Sequence, residues 1–219
     1  MEIDHRVQLL ILKQLLFNPK AKFSELNTTQ LTNDHFTFHL KRLVELGLVK
    51  KNNDYYQLTT IGLETASRLD IKSLTIKKQP KVGVLLCITR TNNNQQEVLL
   101  GERLKDPNKG QIGFHAEKVI FGESLFETAK RCLLKETGLS GSLSFAGTVH
   151  LLDKDRNNPQ YDRLMCYFRV SNIKGKLVEK TTESRNFWLS YEEAYRQKNI
   201  FADLPQDLDL FNKKELFFK

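Results

Sequence analysis

The sequence predicts an α+β protein of two domains, and three observations predict it. Residues 1–72 hold helix-periodic apolar runs followed by a strand, a polar turn and a strand. Residues 82–219 mix long apolar strand runs with one strongly capped helix, and residues 73–81 between them lose helical period and fill with lysine. The 219 residues leave room for two small domains, and 14 Phe within a 40% hydrophobic composition supply the apolar volume for packed cores.

From Asp4 to Phe17 the residues Val7, Leu9, Leu10, Ile11, Leu15 and Leu16 recur at helical spacing, and Asn18-Pro19 ends the run. A short helix around Phe23 to Leu26 and a polar turn follow. A third helix starts at Thr32 or Asn33, both good caps, turns Phe36, Leu40, Leu43 and Val44 to one side, and closes at Gly47. Leu48 to Lys51, the turn Asn52-Asn53-Asp54 and Tyr55 to Leu58 then form a hairpin, with a fourth helix over residues 60–69. The stretch 70–81, DIKSLTIKKQPK, is expected as a solvated linker.

This order resembles a winged helix-turn-helix module of the ArsR and MarR type, carried by DHFTFHLKRLVELGLVKKNNDYYQLTTIG. The resemblance implies a third helix in the major groove of double-stranded DNA and a wing over its backbone. Lys41, Arg42, Lys50 and Lys51 are then candidates for phosphates, and Asn33, His35 and Thr37 for base edges. Over residues 1–73 the 10 Lys and Arg barely exceed the 8 Asp and Glu, so a protein-contact role is the alternative. His35 and His39 lack the further His or Cys that a metal site needs.

In the second domain, Val82 to Thr89 is an almost unbroken apolar run, as in a strand covered on both faces. A polar loop, residues 91–96, turns it into a partner strand, residues 97–102. Ser124 with Glu127 three residues later is a capping-box start, and Gly138 marks a helix stop. Leu125, Ala129, Cys132, Leu133 and Glu136 share one arc of that helix, which places a carboxylate on an otherwise apolar stripe. Residues 143–152 and 163–170 read as strands around a polar loop, residues 153–162. Phe187 to Ser190 and Tyr191 to Ala194 read as a strand-to-helix step. Residues 207–219 read as an amphipathic helix whose Leu208, Phe211, Leu216 and Phe217 cover the core, with a subunit contact, hence a homodimer, as the alternative.

FHAEKVIFGESLFETAKRCLLKETGL, residues 114–139, resembles the Nudix signature, G-x5-E-x7-R-E-U-x-E-E-x-G-U with U aliphatic. Glu123, Arg131, Leu133, Glu136, Gly138 and Leu139 match it. Glu117 replaces the opening glycine, and Cys132 and Lys135 replace two glutamates. The resemblance covers residues 80–197 and implies an α/β/α sandwich with a mixed sheet. It also implies a nucleoside-diphosphate-linked ligand and glutamates that hold Mg²⁺ or Mn²⁺ while water attacks phosphorus. Glu136 and Glu123 would be the metal ligands, Glu136 and Arg131 the catalytic pair, and Asp153, Asp155 or Glu183 a further carboxylate.

The departures bear on that chemistry. Magnesium takes oxygen ligands in octahedral geometry. Replacing three glutamates by Cys132, Lys135 and Glu136 moves their formal charge from −3 to 0. At an effective dielectric near 20, each unit charge about 4 Å from another is worth roughly 4 kcal/mol, and a divalent ion doubles that. Magnesium is therefore expected to bind weakly, and Lys135 and Glu123 to face the ligand, Lys135 as a point charge for phosphate. Arg131 either braces the carboxylates or pairs with Glu127 on the helix surface. Cys132 is expected as a small buried hydrophobe, and Trp188 as core.

The net charge of +8 suits an anionic partner or a merely soluble basic protein. Three widely spaced cysteines suit neither a disulfide framework nor zinc, so a reducing cytoplasm is expected. Asp4, His5 and Arg6 interrupt any signal-peptide pattern, and no apolar run approaches the roughly 18 residues of a membrane span. The expected function is a DNA-binding regulator whose degenerate Nudix domain senses a nucleotide-like metabolite with weak or no hydrolysis. Nudix-like sensors joined to winged helices occur in bacteria, usually in the opposite order along the chain. The rival is a Mg²⁺-dependent pyrophosphohydrolase with an accessory N-terminal module, and a protein-interaction scaffold is a third class.

Overall fold

The computed structural model describes residues 3, 5–28, 31–155, 158–213 and 215–219, with the side chains of 153–155 and 158–160 left out. The chain divides into two units, Met1–Lys78 and Gln79–Lys219.

In the first unit α1 spans Arg6–Phe17. Asp4, expected as its start, lies outside the described residues; His5 is the cap, its Nδ1 accepting from Val7 N at 3.3 Å. Strand β1 (Ala21–Lys22), α2 (Phe23–Leu26), α3 (Asn33–Glu45), β2 (Val49–Asn52), β3 (Tyr55–Leu58) and α4 (Thr60–Ser67) follow. The three strands form a sheet in the order β1-β3-β2. Ile11, Leu12 and Leu15 of α1 pack with Phe36, Leu40 and Leu43 of α3, so the 3.6-residue period of both helices is satisfied by one core.

A hairpin, β4 (Leu69–Asp70) with β5 (Thr75–Ile76), runs from the end of the expected fourth helix into the stretch expected as a linker. Its turn is local polar chemistry: Asp70 Oδ1 accepts from Ser73 N at 2.8 Å and Lys72 N at 3.1 Å. The fourth helix accordingly stops at Ser67, two residues before its expected end.

The second unit is built on one mixed sheet. Its elements are β6 (Lys81–Asn92), β7 (Gln95–Arg103), β8 (Ile112–Gly113), β9 (His115–Lys118), α5 (Leu125–Thr137), β10 (Ser140–Asp155), β11 (Asn158–Lys174), β12 (Ser184–Ser190), α6 (Tyr191–Tyr195), α7 (Leu204–Asn212) and β13 (Phe217–Phe218). The order is β12-β7-β6-β11-β10-β13, with β8 beside β7 and β9 beside β6. β6–β11 and β10–β13 are parallel and the other pairs antiparallel.

Both faces of β6 are covered, as its unbroken apolar run requires. Val84, Leu86 and Ile88 join Ala129, Cys132 and Leu133 of α5 in one cluster. Leu85 and Cys87 join Ala194 of α6 and Leu204 and Leu208 of α7 in another. The alternation along β11 feeds the same two cores, Phe168 and Val170 into the first and Met165 and Tyr167 into the second. Trp188 packs against the α5 core, with the Arg90 guanidinium 4.3 Å from its ring.

Two expectations change here. The β10–β11 backbone pairs as far as Asp155 and Asn158, so much of the expected polar loop is strand. The C-terminal helix begins at Leu204, and Phe217 lies on β13 beside Gly147 of β10 instead of on that helix. Phe217 still reaches the core, as do Leu208 and Phe211, while Leu216 stays exposed.

Candidate functional site

Helix α5 is held at both ends by its own sequence. Ser124 Oγ accepts from Glu127 N at 3.2 Å while Glu127 Oε2 accepts from Ser124 N at 2.8 Å, a reciprocal cap. Gly138 ends the helix in the left-handed region, φ 72°, where a Cβ would also meet Val178. Because Glu127 is engaged in the cap, Arg131 turns to other acceptors. Its Nε and Nη2 donate to the two oxygens of Glu123, each at 2.8 Å, and Nη2 also donates to Lys118 O at 2.9 Å. Glu123 further accepts from Thr128 Oγ1 at 2.9 Å. Arg131, followed by these hydrogen bonds, holds the Glu123 carboxyl down to about 2.

One turn further on lies a second group of charges. Lys135 Nζ is 2.8 Å from Glu117 Oε2, 3.2 Å from Glu136 Oε1 and 3.6 Å from Glu183 Oε1. Glu117 comes from β9, Glu136 from α5 and Glu183 from the residue before β12. Arg131 Nη1 reaches Glu117 Oε2 at 3.3 Å, and Lys105 bonds Glu183 through its other oxygen, Oε2. Burial opposes the charged form of Glu117, but hydrogen bonds from Lys135 and the Lys118 backbone outweigh it and keep the group below the usual carboxylate range. The hydrogen bond to Glu117 raises the Lys135 ammonium well above its ordinary value. Glu183 is lowered, chiefly by Lys105.

Lys135, expected to face phosphate, thus gives its ammonium to three carboxylates. Glu123, the other expected ligand contact, is held by Arg131, and Glu136 is 7% exposed with Ser184 Oγ donating to it at 3.4 Å. Cys132 is fully buried beside Ala129 and Leu133, and burial pushes its thiol well above the ordinary range. Of the candidates for a further carboxylate, Glu183 joins the cluster, while the side chains of Asp153 and Asp155 lie outside the described residues.

Of these charges Glu117, Glu136, Glu183 and Lys105 line a cleft of about 500 Å³. Its cations include Lys81, Arg103, Lys105 and Arg163, and Phe114, Tyr161 and Phe201 add aromatic surface. His115 is buried in its wall with Nε2 lacking a partner among the described residues, and burial lowers the imidazole to about 4. Gly101 leaves room for it, since a Cβ there would meet His115 Cε1 at 2.7 Å. Asn186 Nδ2 donates to Glu136 O and Val178 O, both at 2.7 Å, tying β12 to the end of α5. Asp207 accepts from Tyr167 OH at 2.6 Å, and burial raises its carboxyl to about 7.

The oxygen donors do not fit a metal ion of the expected kind, because an ammonium sits among the carboxylates that would ligate it. Among the described residues, no group of three or more His, Cys, Asp or Glu side chains could hold an ion. The trio of signature positions understated the acidity here, since Glu117 and Glu183 join it from other elements. Glu117, Lys105, His115 and Asp207 were not singled out as site residues in the sequence. One signal for the first was present: Glu117 and Lys135 are opposite-sign departures within a single motif.

The residues expected at DNA lie in the first unit. Asn33, His35, Lys41 and Arg42 on α3 and Lys50 and Lys51 on β2 are exposed, and Thr37 is half-buried. Asn33 Oδ1 accepts from Asn27 Nδ2 at 3.0 Å, Arg42 pairs with Glu45 at 3.2 Å, and Lys51 lies over the Tyr56 ring. His39 stacks on His5 with ring centroids 3.8 Å apart.

A mixed sheet covered by helices on both faces, with Glu123 just ahead of a capped helix that carries Arg131 and Glu136 beside a cleft, is the arrangement of the Nudix class of domain. Residues 78–208 match the NUDIX domain family, and the chain belongs to it. The NUDIX domain of Shewanella oneidensis NrtR, solved in complex with ADP ribose, is similar over 71% of this chain and 97% of its own, at 18% identity and TM-score 0.54. MutT from Bacillus halodurans is similar over 63% and 86%, at 20% identity and TM-score 0.52. A MutT NUDIX hydrolase from Burkholderia pseudomallei is similar over 61% and 98%, at 18% identity and TM-score 0.51. At these identities the likeness is one of fold. No curated protein matches the chain. Divalent ions such as Mg²⁺ are general in Nudix hydrolases, and no described helix here is long and apolar enough to cross a membrane.

Proposed function

We propose that this protein is a cytoplasmic, ligand-responsive DNA-binding regulator. In this reading its NUDIX domain binds a nucleoside-diphosphate-linked small molecule with weak or no hydrolysis, and its N-terminal unit is a winged helix-turn-helix that contacts double-stranded DNA. The observation that carries the sensor half is the Lys135 ammonium among Glu117, Glu136 and Glu183, where hydrolysis in this family calls for a divalent ion. The cleft of about 500 Å³ is of small-molecule size, and its lysines and arginines suit a diphosphate. ADP ribose in the NUDIX domain of Shewanella oneidensis NrtR supports the choice of first ligand.

The DNA half rests on the order of helices, the sheet β1-β3-β2 and the exposed Lys41, Arg42, Lys50 and Lys51. Asn33, His35 and Thr37 are the proposed base contacts. Coupling requires the ligand to favour one arrangement of the two units, and a homodimer would supply two half-sites. Three buried free thiols fit the proposed cytoplasmic setting.

Calorimetric titration with ADP-ribose in Mg²⁺ and then in EDTA tests the sensor. Binding is expected to persist in the chelator, with no AMP released. The retained Glu123, Arg131 and Glu136 favour the second reading, a Mg²⁺-dependent pyrophosphohydrolase. Brisk AMP release in Mg²⁺, abolished in Glu136→Gln, would establish that reading and end the sensor.

A further inference from the structure

We propose that Lys135 is the resident cation of this site: its ammonium stands in for a divalent ion among Glu117, Glu136 and Glu183, assembling the site without metal and excluding metal from it. This inference concerns the apparatus of the site and does not depend on which ligand the cleft takes.

The geometry carries it. Three carboxylates from a strand, a helix and the segment leading into β12 converge on one nitrogen at 2.8, 3.2 and 3.6 Å. An ammonium has three donors and no acceptor, so it can direct one donor toward each acid. Those separations are of ion-pair length, well beyond the roughly 2.0–2.1 Å of magnesium–oxygen contacts. A metal would bind each oxygen more closely, and it could not do so while the nitrogen remains.

The sequence supports it independently. Lys135 stands where the signature has a glutamate and Glu117 where it has a glycine, and the two new side chains meet. A lone Glu→Lys change would remove an acid and add a cation, a swing of two charges. The accompanying Gly→Glu restores one acid, supplied from β9 instead of the helix. The site therefore keeps a set of oxygen donors from several elements while its cation has become covalent. Two further cations limit the imbalance: Lys105 bonds Glu183, and Arg131 reaches Glu117 at 3.3 Å. Removing Lys135 would leave the three carboxylates without their shared cation; as placed they form no ion-holding group, and they would draw together around Mg²⁺ or Mn²⁺, which prefer such hard oxygen donors.

The test uses the full chain and Mn²⁺ alone, without nucleotide, and reads free Mn²⁺ by electron paramagnetic resonance. Wild type and Lys135→Arg are expected to bind Mn²⁺ at this site only weakly. Lys135→Gln is expected to gain one ion per chain at least about 100-fold more tightly than wild type, since the ammonium no longer repels the ion. The double variant Lys135→Gln/Glu117→Gln is expected to lose most of that gain. Tight Mn²⁺ binding by wild type that Lys135→Gln does not improve would overturn the proposal, as would a folded Lys135→Gln that binds no better than wild type. If Lys135→Gln is unstable, its melting temperature with and without Mn²⁺ decides. Recovery with the ion supports the resident cation, and no recovery where Lys135→Arg folds normally overturns it. Because no nucleotide is present, failure here leaves ADP-ribose binding to its own titration.

Discussion

The two halves of helix α5 contrast. Its first half keeps the family's residues and pairs them as the motif spacing suggests: Ser124 caps, and Arg131 clamps both oxygens of Glu123. Its second half has lost two acids, Cys132 faces a dry core, and Lys135 draws in carboxylates from outside the helix. The Arg131 bracket shapes the loop that leads into the helix, and it needs only the local chain. Organising the second half takes a cation at its centre, and here the chain provides that cation itself. A fold-supporting half of a motif can thus stay intact while the chemical half changes character.

The sharpest way to break that contrast is to restore the lost acid in the dry half. Cys132→Glu places a carboxylate in a fully buried position and is expected to lower stability by several kcal/mol, measured by urea denaturation. Cys132→Ala should cost only about 1 kcal/mol. If the glutamate variant is as stable as wild type, the Cys132 side is open to the charge cluster and the two halves are not so different.

The walls of the cleft give a smaller effect with a definite sign. His115 is lowered from 6.5 to about 4, so acidification protonates the unfolded chain first and destabilises the fold through that interval. Asp207 is raised from 3.8 to about 7, so acidification through that interval stabilises the fold. Glu117, Glu123 and Glu183 are all lowered from 4.5 and stay ionised above pH 5. Between pH 7 and 5 the two groups therefore oppose one another. Asp207→Asn is expected to lose roughly 2 kcal/mol over that range, and His115→Gln to gain stability, as denaturation at the two pH values would read. Flat profiles for both variants would remove the two groups from the buried wall.

A finer test concerns the Arg131 bracket alone. Arg131→Lys keeps the charge but gives up the two parallel hydrogen bonds, so the Glu123 carboxyl should climb from about 2 toward 4.5, followed by carboxyl NMR. A value that stays near 2 would assign the shift to Thr128 and the backbone.

The smallest expected effect lies in the first unit, where charges are solvated. Lys41→Ala with Arg42→Ala should weaken binding to duplex DNA across all sequences and reduce the slope of log K against log salt by about 2. Unchanged affinity would withdraw the DNA half of the proposal and favour protein contacts.

Much of this architecture was legible because its causes are local. The α5 caps, the helical stripes on α1 and α3, and the doubly buried run of β6 each follow from residues a few positions apart. The Glu123–Arg131 clamp was one of two pairings that the sequence left open for Arg131, the other being Glu127, and the cap at Ser124 decided between them. The β4–β5 hairpin was missed because lysine content masked an aspartate turn, and β13 because a two-residue strand has no period to read.

The sequence by itself determined that two units follow one another, that a capped helix carries Glu136 on its inward stripe, and that two acids of the motif were gone. Tertiary structure alone decided what replaced them. Glu117, Glu136 and Glu183 meet at Lys135 because β9 pairs with β6 and the chain entering β12 pairs with β7. Helix period and capping are set within a few residues. Which carboxylate reaches a given ammonium depends on strand order and register across the sheet, which no short stretch of sequence specifies.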